Sequence, residues 1–370
     1  MILRYYPTKD ATLYEASPDR NTGIDPILEL QTIAATGSGG IASASYASRI
    51  VLNFDYSAIS ASIVALGYNP NSFAYGLKLY ATEPQQIPVD YTINTHPLAY
   101  SWDMGTGRAN TTPANTEGVS WYYRQGESTP QTNWPTSSFA AGTTGSWQVR
   151  PGGGVWYTSS VASQSFSYTT TDLDLDITNI IRQVQSGSIA MNGLIIKRSV
   201  ADEALLQDYS SLRFYSKDSN TIYSPVIEAK YNDSTNSGST TTINTNKEFN
   251  LIVSNLRSQY KEDSRPRIQV APRYRFPTVT FSTSSAQLDI YRIPTGSQYA
   301  VYLAKSDDAI INFSTYTQIS SDSEGSFFRL NLSSFQPEQY YRLLFKIPQS
   351  DGVSYDIYDN NFVFKVERNQ

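Results

Sequence analysis

The chain has 370 residues, enough for two or three domains, and a hydrophobic fraction of 39%, enough for packed cores. Charged residues make up 16%, tyrosine is present in 28 copies, and the net charge is −5, which gives no support for binding phosphate backbones. There are no cysteines, so disulfides, thiolate metal sites and cysteine nucleophiles are excluded.

The opening "MILRYYPTKDATLYEA" has no signal-peptide pattern, because two apolar residues are followed at once by Arg4 and Tyr5. No apolar run reaches the length of a membrane span. A soluble protein made in a cytoplasm is the expectation. The clearest strands of the N-terminal part are "RIVLNFDYS", "YGLKLYA", "LRFYSKD" and "SPVIEAKY". In the last of these Ile227, Ala229 and Tyr231 alternate with Val226, Glu228 and Lys230.

Between residues 101 and 165 the strand signal fades. That region holds all five tryptophans, Trp102, Trp121, Trp134, Trp147 and Trp156, among many Gly, Ser, Thr and Pro. Disordered segments lack aromatics, so long ordered loops pinned by the rings are expected.

"TDLDLDITNIIRQVQSGSIAMNGLIIK", residues 171 to 197, changes period midway. Leu173, Leu175 and Ile177 point inward from a strand, and Asp172, Asp174 and Asp176 point outward. Ile177, Ile180, Ile181 and Val184 then form a helical stripe. Asp176 or Thr178 can accept from its free amides, and Gly187 can close it. The reading is a strand, a short covering helix and a strand, the helix shielding an open end or edge of a sandwich.

"NDSTNSGSTTTINTNKE", residues 232 to 248, has almost nothing to bury and reads as an extended linker or mobile loop. Beyond it come short strands. Phe328, Leu330 and Leu332 share one face, as do Phe362, Phe364 and Val366, while "YYRLLFKI" is continuously apolar like a central sandwich strand. The fold class expected is all-β: a sandwich with one short helix over residues 1–231, then an immunoglobulin-like sandwich over residues 249–370.

The 171–197 segment also resembles part of the DNRLRE-type modules, jelly rolls of bacterial surface proteins, some carbohydrate-active proteins and phage virion proteins. Other stretches agree in order. "DATLYEASPDRNTGIDPILEL" is similar to the opening strand pair, with Asn21 and Gly23 at its turn. "SRIVLNFDYSAI" carries Phe54 and Asp55; "SWDMGTGR" and "EGVSW" carry Trp102, Gly105, Gly107, Gly118 and Trp121. "WQVRPGGGVW" resembles a further loop, departing from it at Val155, where an acid is common in the family. "LRFYSKDSNTIYSPVIEAKY" resembles the closing strand pair, so the likeness spans roughly residues 8 to 231. The C-terminal part, through "VSNLRSQYKEDSRPRIQVAPRYRFP", "SSDSEGSFFRLNL" and "FQPEQYYRLLFKI", is similar to the C-terminal sandwich of structural proteins from contractile-tailed, cyanophage-type phages. Together the resemblances imply a virion structural protein, and the partners expected are other virion proteins and copies of the chain itself as a homo-oligomer or symmetric ring. Net acidity, the absence of a membrane-length apolar run and the thin candidate chemistry add the expectation of no direct contact with nucleic acid or membrane, no cofactor and no catalysis.

The candidate chemistry is thin. His96, in "NTHPLAY", is the only histidine and would have to serve as the base of any Ser-His-Asp device, yet no G-x-S-x-G elbow accompanies it. A glycosidase needs a carboxylate pair, and none stands out by sequence. Asp172, Asp174 and Asp176 are weak candidates for a metal. The run has Ile177 where a calcium loop needs glycine and Gln183 where it needs glutamate, and alternate strand residues lie about 7 Å apart. The five tryptophans can be sugar platforms, which makes a carbohydrate-binding module of a host-recognition apparatus the alternative function, or they can anchor loops. The coincidence of Trp102 and Trp121 with the module's landmarks favours anchors. Arg265, Arg267, Arg273 and Arg275 alternate along "RPRIQVAPRYRF" as a positive face for docking an acidic partner.

Overall fold

The computed structural model describes residues 1–36, 42–82, 91–126, 131–136, 142–145, 151–166, 172–190, 192–206, 208–277, 290–333 and 335–369. The chain forms two compact units, one of Arg4–Ala229 and one of Met1–Leu3 with Lys230–Gln370.

Eight strands define the first sandwich: Ile2–Tyr5, Ala42–Asn53, Ala74–Leu79, Tyr91–Pro97, Ala162–Phe166, Leu173–Asp176, Leu194–Arg198 and Val226–Lys230. Counted in chain order, the first pairs with the eighth, the second with the seventh, the third with the sixth and the fourth with the fifth. That is one long hairpin rolled into two sheets, ordered first-eighth-third-sixth and second-seventh-fourth-fifth, the interleaving of a jelly roll. Three further strands, Lys9–Tyr14, Ile27–Thr36 and Tyr209–Tyr215, extend the second sheet to seven.

Burial follows the alternation. Leu173 and Leu175 are buried, and Asp172, Asp174 and Asp176 are exposed. The edge of that short strand is closed by a side chain: the Gln164 amide donates to Asp172 O (2.9 Å) and accepts from Asp174 N (2.8 Å). An edge so occupied offers fewer free groups to a foreign strand.

The helix Thr178–Gln185 buries Ile180, Ile181 and Val184, with Asp176 accepting from Thr178 N (2.9 Å) and Gly187 at φ +75° just past its end. The expectation of a single helix is corrected, since Tyr56–Ala65 and Val200–Ala204 are helical too. Asp55 caps the first by accepting from Ala58 N (2.9 Å), and Ser199 caps the second by accepting from Asp202 N (3.0 Å).

The second unit pairs a four-stranded sheet ordered Phe249–Val253, Arg267–Tyr274, Gly325–Arg329, Ser320–Asp322 with a five-stranded sheet ordered Gln259–Lys261, Tyr355–Glu367, Gln339–Pro348, Gln298–Leu303, Ala309–Ile311. In immunoglobulin terms these are A-B-E-D against G-F-C, with a short extra strand on each side of the second sheet. Tyr341, near the start of the penultimate strand, donates its hydroxyl to Gln336 O (2.9 Å), which is the tyrosine corner of such sandwiches. Leu343 fills the position two residues on, where antibody domains place their second cysteine. An aromatic stack supplies the central pin instead. Tyr299 lies 4.2 Å from Phe328, ring centre to centre, and Phe328 lies 6.1 Å from Phe345, joining three strands of both sheets.

Residues 232–248 are not a free linker but part of this second unit. Ser321 N donates to Thr235 O (2.9 Å), Ser237 N donates to Ser321 O (2.8 Å), and Thr241–Thr242 pairs in parallel with Tyr291–Arg292. A polar stretch needs no apolar side chains to be ordered when its backbone completes a sheet edge.

Candidate functional site

The landmark residues of the first unit converge on Asn21, which is fully buried. Its Nδ2 donates to Met104 O and Val119 O (2.7 Å each), and its Oδ1 accepts from Gly107 N (2.7 Å) and Gly23 N (3.2 Å). These four bonds use the full capacity of the amide. The loops pack so closely that a Cβ on Gly23 would lie 2.2 Å from Met104 O, and one on Gly107 would lie 2.3 Å from Asn21 O. Asn21, Gly23, Gly105, Gly107 and Gly118 are therefore one staple holding three loops together.

Four tryptophans cover one face of the larger sheet. Trp102, Trp121, Trp134 and Trp156 are each at most 2% exposed and pack with Ala11, Leu13, Ala47, Val51, Leu98 and Ile195. Along Ala42–Asn53, Ala47 and Val51 face this layer, while Ile50 and Leu52, also buried, face the other way. Three indole N–H groups donate to carbonyls, Trp102 to Asn192, Trp121 to Pro151 and Trp134 to Ser120 (2.9–3.0 Å). At these four positions the rings are buried loop anchors and present no exposed face as a sugar platform. Trp147 lies outside the described residues.

Within this layer sits a charged cluster that the sequence reading missed. Arg49 donates from Nε to Glu203 Oε1 (3.1 Å), from Nη2 to Glu203 Oε2 (2.5 Å) and from Nη1 to Gly153 O (2.6 Å). Its guanidinium stacks 4.8 Å from the Trp121 ring and 5.2 Å from Trp156. Lys197 Nζ lies 3.5 Å from Glu203 Oε2. Burial alone would raise the Glu203 carboxyl, but Arg49 and Lys197 together hold it below its usual range. Burial lowers Lys197 to about 8, against the pull of Glu203. Among the described residues the three charges are buried and engaged with one another.

The remaining candidates do not come together. His96 has Nδ1 3.0 Å from Ser160 O, so that nitrogen carries the proton, and its ring lies 6.1 Å from Trp156. Burial lowers its pKa. The charge acting on it is Lys197 rather than an acid, and among the described residues no carboxylate is bonded to the ring as the orienting acid of a catalytic base. Asp172, Asp174 and Asp176 have separate partners: Ala81 N (2.8 Å), Lys78 Nζ (3.8 Å) and Thr178 N (2.9 Å). Among the described residues no group of three or more His, Asp or Glu is placed to hold a metal.

Two of the four candidate arginines pair with acids. Arg267 pairs with Asp322 (2.5 Å) and Glu324 (3.0 Å) and stacks 4.0 Å over Phe327. Arg275 pairs with Glu248 (3.2 Å), and Arg265 approaches the Met1 sulfur (3.7 Å). Arg273 is exposed and has no ion pair among the described residues.

The geometry defines an all-β protein of two sandwiches whose aromatic and charged clusters are engaged internally. No described helix is long and apolar enough to cross a membrane. Compared with protein-family models, curated proteins and solved structures, the chain matches none.

Proposed function

We propose that the protein is a structural component of a tailed-bacteriophage virion, in the neck, the tail or an accessory capsid position, and that it acts by protein–protein assembly without catalysis. The resemblances of residues 8–231 and 249–370 supply the virion context. The observation that carries the assembly reading is the inward placement of the chemistry-bearing residues: four tryptophans, Arg49, Glu203 and Lys197 are sealed in one layer. What remains outside includes Ile33 and Tyr46, directly opposite each other on a hairpin of the first unit, and Tyr340, Tyr355 and Ile357 on the second. Exposed tyrosines give large contact area at low entropic cost. The partners in this reading are other virion proteins and further copies of the chain in a symmetric ring, with neither nucleic acid nor membrane in direct contact.

The test is purification of intact particles followed by quantitative mass spectrometry. A fixed copy number per particle is expected. Recovery of the protein only as free material from infected cells would sink the proposal, and binding on a glycan array would move the reading to a carbohydrate-binding module.

A further inference from the structure

Asp10 is a buried acid whose hydrogen bonding is half complete. It lies on the strand Lys9–Tyr14 with Leu52 opposite, and it is 1% exposed. Oδ2 accepts from Lys217 N (2.7 Å), and Oδ1 is buried with no hydrogen-bond partner. The Lys217 ammonium does not supply one, because it pairs with Asp218 instead (3.2 Å). The charged groups acting on Asp10 are therefore Lys217 and Asp218, both on the turn Lys217–Ser219 that closes over it. That turn is otherwise tied down by Ser216 N donating to Pro26 O (3.0 Å) and by Ser219 Oγ donating to Ser216 O (2.7 Å).

A buried carboxylate charge with one bare oxygen, beside a second carboxylate, is unfavourable, and a neutral carboxyl lowers the cost of burial and removes the like-charge repulsion. We propose that closure of the Lys217–Ser219 turn over Asp10 takes up one proton, so that the turn is latched in acid and released as the proton is withdrawn. Burial is the largest cause raising Asp10, to about 7, with Asp218 adding to it and the Lys217 amide opposing it. When the turn opens, the carboxyl meets water and ionises near the ordinary value of 3.8. Between these values each unit of pH favours the open, deprotonated form about tenfold, and above the upper value the two forms titrate alike and the dependence ends.

Hydrogen exchange of the Lys217 amide in the full chain, corrected for intrinsic exchange, reads this directly. Opening is expected to increase about tenfold per unit from pH 4.5 to 6.5 and to level off above pH 7 or so. Asp10→Asn should abolish the slope, since the amide cannot ionise. Asp218→Asn should keep the slope but bring the plateau to lower pH by removing the like charge. A flat wild-type profile, a slope that survives Asp10→Asn, or a plateau unmoved by Asp218→Asn would each overturn the latch.

Discussion

Replacing Asn21 by alanine would remove the staple without touching any surface. The change strands two carbonyls, of Met104 and Val119, and two amides, of Gly107 and Gly23, all at the buried Asn21 side chain. A buried polar group left without a partner costs about 1–3 kcal/mol. The Gly23 contact at 3.2 Å is the weakest of the four, and water entering the gap would recover part of the loss. A net cost of about 4–6 kcal/mol follows, a large share of the 5–15 kcal/mol typical of a folded domain. All five tryptophans lie between residues 102 and 156, so indole fluorescence in urea reports on the first unit alone. With a slope of about 2–3 kcal/mol per molar, the midpoint should fall by about 2 M. Asn21→Asp should be at least as harmful, because it turns acceptor oxygens toward the Met104 and Val119 carbonyls. A loss below about 1 kcal/mol for Asn21→Ala would show that the loops stand without this residue and would refute the reasoning.

Glu203→Gln should cost about 3–5 kcal/mol by the same fluorescence assay, because it leaves Arg49 and Lys197 buried without their counter-charge. Lys197→Met should cost far less, since Arg49 still satisfies Glu203 through two bonds. Tyr341→Phe should lower the stability of the second unit by about 1–2 kcal/mol, read by calorimetry, through loss of the bond to Gln336 O. The raised Asp10 pKa also bears on global stability. Its folded value of about 7 exceeds the ordinary 3.8, so the native state holds the extra proton and stability falls as pH rises from 3.8 to about 7. The full loss is at most about 4 kcal/mol, and Asp10→Asn should remove it from the pH profile of urea midpoints.

The sequence disclosed the faces of elements better than what lies on them. Leu173 and Leu175 inside with three aspartates outside, and the stripe from Ile177 to Val184, were both legible because one side is apolar and the other is not. The helix Tyr56–Ala65 escaped because its buried residues, Tyr56, Ile59 and Ile63, are sparse, and the exposed Val64 blurs the stripe. The charged layer escaped for another reason. Arg49 and Lys197 occupy positions that, on a sheet covered once, would face water. Alternation tells which residues share a face, but not whether a second layer, here the tryptophan-bearing loops, will cover it. The stretch 232–248 misled because composition measures the capacity for burial, and its order comes from backbone pairing.

The stack of Tyr299, Phe328 and Phe345 has a consequence for where the second sandwich can hold its shape. A sulfur bridge ties the integrity of such a domain to the electron poise of its surroundings, because a reducing medium can sever it. Three rings have no such switch. In a chain without cysteine the clasp is closed as soon as the strands meet, and it stays closed whether glutathione is abundant outside the molecule or absent.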